Sequence, residues 1–75
     1  MVETTVRIDG MMCGMCEAHM NDAIRRVFPD AKKVKSSHKK GETSFRTEAP
    51  VDEEILKNVV ADTGYTFVSV TVENQ

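Results

Sequence analysis

Two stretches with helical periodicity, residues 15–28 and 53–62, each lie between segments that alternate with a period of two, and that order leaves few folds open. Residues 2–8 place Thr4, Val6 and Ile8 on one face, the pattern of a half-buried strand. Over residues 15–28, Met20, Ala23, Ile24, Val27 and Phe28 recur at three-and-four spacing, while Glu17, Asp22, Arg25 and Arg26 fall elsewhere. Pro29 disfavours helical geometry at the residue before it and ends that helix. Residues 31–38 and 42–48 read as strands joined through Lys39, Lys40 and Gly41 in a hairpin turn, with Val34 and Phe45 facing the core. Beyond Pro50, Asp52 stands where it can cap a helix over 53–62, whose apolar face is Ile55, Leu56, Val59 and Val60. Gly64 suits the left-handed position after that helix. Residues 66–73 close the chain as a strand, with Val68, Val70 and Val72 expected to point one way.

The predicted order is strand, helix, strand, strand, helix, strand. This is the α+β ferredoxin-like βαββαβ arrangement: a four-stranded antiparallel sheet, order 4-1-3-2, with two helices on one face. A chain of 75 residues has room for one core, so residues 1–75 are read as a single domain. The topology also makes a functional statement. The first strand ends at a cysteine-bearing loop, so the fourth strand must begin beside it, and Tyr65 falls near the cysteines. The hairpin with His38, Lys39 and Lys40 belongs to the same end of the sheet.

Composition narrows the function classes. With 40% hydrophobic and 29% charged residues the chain is globular and not disordered. Its longest apolar cluster is far short of a membrane span, which argues against direct membrane insertion. A formal charge of -2 argues against nucleic acid, because no basic excess is available to neutralise phosphates. The lysines at 32, 33, 35, 39 and 40 read as a solvated strand and turn. The N-terminal residues carry neither a basic region nor an apolar stretch, so a cytoplasmic location is expected.

The two cysteines, Cys13 and Cys16, are three residues apart. A disulfide between them would close a tiny loop and stabilise little, so the pair is better explained by chemistry than by stapling. At a helix start, the helix dipole and the unpaired backbone N–H groups favour thiolate. Two converging thiolates suit Cu(I), which is soft and accepts two-coordinate, nearly linear ligation. Structural Zn(II) takes four ligands, and no second cysteine pair exists here. A c-type haem site would need His after the second cysteine, where this chain has Glu17. Dithiol redox catalysis on a thioredoxin-like fold calls for a larger chain and aromatic-flanked cysteines, neither of which is present. The chain is therefore read as a binding protein and not an enzyme.

The run Gly10-Met11-Met12-Cys13-Gly14-Met15-Cys16, between a first strand and a first helix, resembles the heavy-metal-associated domain family. That family includes cytosolic copper chaperones and the N-terminal domains of copper-transporting P-type ATPases. The resemblance extends over the element order and the Gly64-Tyr65 pair before the last strand. It implies Cys13 and Cys16 as metal ligands, Met11 as a buried support for the loop, and Tyr65 as a group that backs the sulfurs. It also implies a copper-transporting P-type ATPase domain as partner. Two positions depart from the family pattern: Met12 and Met15 stand where a polar residue is usual, small in the first case.

The resulting expectation is a cytoplasmic copper chaperone or metal-binding module, monomeric, that passes Cu(I) on by thiol exchange. Two such sites face to face would offer four sulfurs, a route to a metal-bridged dimer. The alternatives are binding of Hg(II) for detoxification, since that ion also accepts two thiolates, and a redox-regulated interaction module. Met12 and Met15 offer an apolar docking rim, with Lys39 and Lys40 as a basic margin. His19, one turn past Cys16, reads as an exposed helix histidine that could face the metal, and His38 as an ordinary hairpin residue.

Overall fold

In the computed structural model, which describes residues 1–74, the chain runs β1 (Val2–Asp9), α1 (Gly14–Val27), β2 (Lys32–Ser37), β3 (Glu42–Thr47), α2 (Glu53–Asp62), β4 (Thr66–Asn74). Gln75, the last residue of the expected 1–75 domain, lies outside the described residues. The strands form one antiparallel sheet in the order β2-β3-β1-β4, which is the ferredoxin-like topology expected from the sequence. No helix among the described residues is long and apolar enough to cross a membrane.

The core forms where the alternation of β1 and β3 meets the apolar stripes of the helices. Val6, Ile8 and Phe45 of the sheet pack with Met20 and Ile24 of α1 and with Leu56, Val59 and Val60 of α2. Phe28 stacks on Phe45 with ring centroids 5.6 Å apart, closing the C-terminal end of α1 over the sheet. Buried threonines share the covered face, and the Thr43 hydroxyl is satisfied by Ser36 Oγ at 2.8 Å. Ser36 donates in turn to Asn21 Oδ1 at 2.7 Å, tying α1 to the β2–β3 hairpin. At the start of α2, the Asp52 carboxylate accepts from the Glu54 N–H at 2.8 Å, the expected cap. Gly64 follows α2 with φ +91, a left-handed conformation that a side chain would strain.

Three expected side-chain placements are corrected. Val68, Val70 and Val72 do not line one buried face. The β1–β4 register shifts between Arg7 and Ile8, so Val6 pairs with Val70 while Ile8 pairs with Phe67. The shift is a β-bulge: it takes Val68 out of the alternation and puts Phe67 in its place over the core. Val72 keeps the register opposite Thr4, but on an outer strand it stays 50% exposed. Ile55 is 44% exposed although it fits the helical stripe, because the packed face of α2 centres on Leu56, Val59 and Val60. Val27 is likewise left exposed at the end of α1.

Neither cysteine belongs to the fully buried core, which leads to a direct test of where stability resides. Leu56→Ala should destabilise the reduced, metal-free protein by about 2–5 kcal/mol, and Ile55→Ala by only about 0.5 kcal/mol. Urea unfolding of both variants checks this. Amide NMR of the metal-free wild type should already show a dispersed, folded spectrum.

Candidate metal centre

The loop between β1 and α1 is fixed from below and open above. Gly10, at φ +106, lets the chain turn out of β1 against Tyr65, whose Cδ1 would lie 3.5 Å from any added Cβ. Met11 then points down and is only 5% exposed, packed into the core cluster. Met12 and Met15 point outward, at 80% and 83% exposure. Cys13 is exposed and Cys16 half-buried.

Cys13 is the N-cap of α1 in an extended conformation, and its side chain makes no capping bond. Its carbonyl accepts from the N–H groups of Cys16 at 3.1 Å and Glu17 at 3.2 Å, which fixes Cys16 in the first turn. The two Sγ atoms are thereby 3.8 Å apart, and both cysteines are free. That separation is well beyond the ~2.05 Å of a disulfide. It is within the ~4.6 Å that two metal–sulfur bonds of ~2.3 Å can span, so one ion can bridge the pair.

The Cys16 thiol is shifted toward thiolate. Its pKa is lowered from 9.0 to about 7, chiefly because the Tyr65 hydroxyl hydrogen-bonds its sulfur. Backbone hydrogen bonds at Met12 and Cys13 add to this, and partial desolvation works against it. Tyr65 shows the reciprocal effect: hydrogen bonding to Cys16 and burial push its pKa up to about 12. At neutral pH the phenol therefore keeps its proton and donates to sulfur. Sequence reasoning credited the helix start with favouring thiolate and took Tyr65, by resemblance, as the group behind the sulfurs; its hydrogen bond is the largest cause of the Cys16 shift.

The other candidate residues divide. His19 is exposed and meets Tyr65 edge-on, ring centroids 6.1 Å apart. Lys39 and Lys40 sit exposed on the hairpin turn at the same end of the sheet, beside a surface depression of about 360 Å³ that Arg7, Met11 and His38 also line. His38 is not the ordinary hairpin residue expected. Its backbone N–H donates to Glu17 Oε2 at 2.8 Å and its ring Nδ1 lies 2.6 Å from the same oxygen. These bonds hold the Glu17 carboxyl below its usual range. No periodicity announces this pair; only the topology, which brings the hairpin beside the start of α1, could have found it. Among the described residues, no group of three or more His, Cys, Asp and Glu side chains is gathered as a metal site.

No model of a known protein family matches the sequence. Solved structures with the same fold do match over nearly the whole chain. CopZ metallochaperone superposes with a TM-score of 0.74 at 21% identity, covering 88% of this chain and 98% of that one. The yeast copper transporter domain Ccc2a, solved in apo and Cu(I)-loaded states, gives 0.75 at 19% identity, covering 99% and 97%. The N-terminal domain of the zinc(II) ATPase ZiaA gives 0.64 at 18% identity, covering 87% and 92%. The chain thus has the fold of a metallochaperone and of ATPase and transporter metal domains.

The Tyr65–Cys16 bond fixes a pH dependence and its sign. A thiol whose pKa falls on folding stabilises the reduced protein fully above pH 9, and that contribution is lost as pH drops through about 7. Tyr65→Phe keeps the ring and removes the donor. The Cys16 thiolate midpoint, read by ultraviolet thiolate absorbance or by alkylation rate against pH, should then rise from about 7 toward 9.0.

Proposed function

We propose that this chain binds one Cu(I) ion between Cys13 and Cys16 and hands it to a partner by thiol exchange, as a copper chaperone or metal-binding module and not as an enzyme. The observation that carries the reading is the pair of free sulfurs 3.8 Å apart on an exposed loop. One of them is held toward thiolate by a phenol donor. The fold by itself does not choose the metal, since copper proteins and a zinc(II) ATPase domain share it. The donor set supports a soft ion: two sulfurs, with Met12 and Met15 as the flanking side chains and, among the described residues, no third His, Cys, Asp or Glu gathered with them.

Transfer needs no free ion and no electron transfer. A partner thiolate donates an electron pair to the bound metal and makes a third metal–sulfur bond. The bonds to Cys13 and Cys16 then break one at a time as a second partner thiolate enters. Exposure of the loop allows this attack, and Tyr65 steadies the departing sulfur by its hydrogen bond. By family resemblance, the partner is a metal-binding domain of a copper-transporting P-type ATPase, and delivery to it would occur in the cytoplasm. It would dock on the exposed Met12 and Met15 with Lys39 and Lys40 as a basic margin.

Single replacement of Cys13 or Cys16 by Ser should weaken Cu(I) retention against a competing chelator by more than the ~10–100-fold typical of losing an outer-shell partner. Undiminished retention by the double Ser variant would remove the assignment, and a wild type that holds Hg(II) but not Cu(I) would change the metal. The docking surface has its own test. Lys39→Glu with Lys40→Glu should slow copper transfer to an acidic acceptor domain at low ionic strength, with the difference fading as salt is added. Copper binding itself should not change.

A further inference from the structure

Among the described residues, Glu17 is the carboxylate that stands next to the dithiol in sequence. It follows Cys16 directly, and it lies four residues past Cys13, the spacing that makes side chains neighbours on a helix surface. A free carboxylate there could swing onto an ion held by the two sulfurs. Asp and Glu oxygens bind Zn(II) at ~2.0–2.2 Å, and Zn(II) seeks four ligands, so it would gain from the third donor. Cu(I), soft and content with two sulfurs, would gain little.

The structure has Glu17 engaged elsewhere. One oxygen accepts both the backbone N–H of His38, at 2.8 Å, and a bond from the imidazole Nδ1, at 2.6 Å. An ionised carboxylate only accepts, so the Nδ1 must carry the proton and donate. Both side chains are half-buried, with exposures of 32% for His38 and 28% for Glu17. The backbone donor is fixed by the β2–β3 hairpin, which the Asn21–Ser36–Thr43 hydrogen bonds fasten to α1. Resting on the reading of Cys13 and Cys16 as the ligands, we infer that His38 is a positioning residue that holds the Glu17 carboxylate away from the dithiol, keeping a two-sulfur site that discriminates against Zn(II).

The test compares Zn(II) and Cu(I) affinities by chelator competition in wild type, His38→Ala, His38→Asn, and the double variant Glu17→Gln with His38→Ala. His38→Ala removes the imidazole donor and should raise Zn(II) affinity on the order of tenfold, with Cu(I) affinity unchanged. His38→Asn, whose amide can donate from nearly the same place, should behave as wild type. The double variant should return to the wild-type Zn(II) affinity, since the carboxylate is gone. A merely structural tie would not shift one metal against the other. An unchanged Zn(II) affinity in His38→Ala, with Cu(I) still bound, would overturn the inference, as would a gain that persists in the double variant. A wild type that fails to hold Cu(I) would overturn the ligand assignment, and the inference with it. The wild type alone supplies a further check that needs no variant to fold: the Glu17 carboxyl carbon resonance should stay put when Zn(II) is added. A coordination shift there would overturn the clamp.

Discussion

Met11 is drawn into the core among Ile8, Met20 and their neighbours, and through it the loop that carries both cysteines is held down at one point. Apolar burial of this size is worth roughly 1.5–3 kcal/mol for a fully buried side chain, enough to give the loop a preferred conformation. The residues on either side gain nothing from burial and stay outside: Met12 faces solvent and Cys13 caps the helix from an exposed position. Met11 sets the height of the loop over the core, the Cys13 carbonyl bonds then set the sulfur separation, and the pairing of β4 with β1 brings Tyr65 alongside.

Much of the architecture could be read from periodicity, because the elements that form the core obey it. β1 alternates cleanly, Asp52 caps where a capping residue should, and the order of elements allows one sheet topology that then places Tyr65 beside the cysteines. Periodicity failed where a neighbouring element overrode it. The bulge in β4 is a property of pairing with β1, and no alternation in Val68, Val70 and Val72 signals it. Ile55 fits a helical stripe wider than the surface the sheet offers, so it remains outside.

The site shows the same division. The position of Tyr65 was legible because the fourth strand must lie beside the cysteine loop, and the burial of Met11 was implied by the family resemblance. The Glu17–His38 contact joins residues 21 positions apart through two different elements, and a histidine in a hairpin carries no local mark of its partner. Charge-assisted hydrogen bonds of this kind are visible only once the fold is assembled. They also adjust chemistry without altering the donor atoms, which is where chains of one fold and low sequence identity can differ.

The opposed shifts of Tyr65 and Cys16 have a chemical cost when the site is empty. The arrangement that readies one sulfur for a metal near pH 7 also leaves a nucleophilic thiolate exposed to any two-electron oxidant. A second thiol waits 3.8 Å away to trap the oxidised sulfur as a disulfide: one thiolate electron pair leaves with the oxidant, the other forms the S–S bond, and neither sulfur remains a thiolate donor. In the proposed function, a bound ion would accept both thiolate electron pairs and so act as a protecting group. Under that reading, loading would keep the loop chemically intact between one exchange and the next.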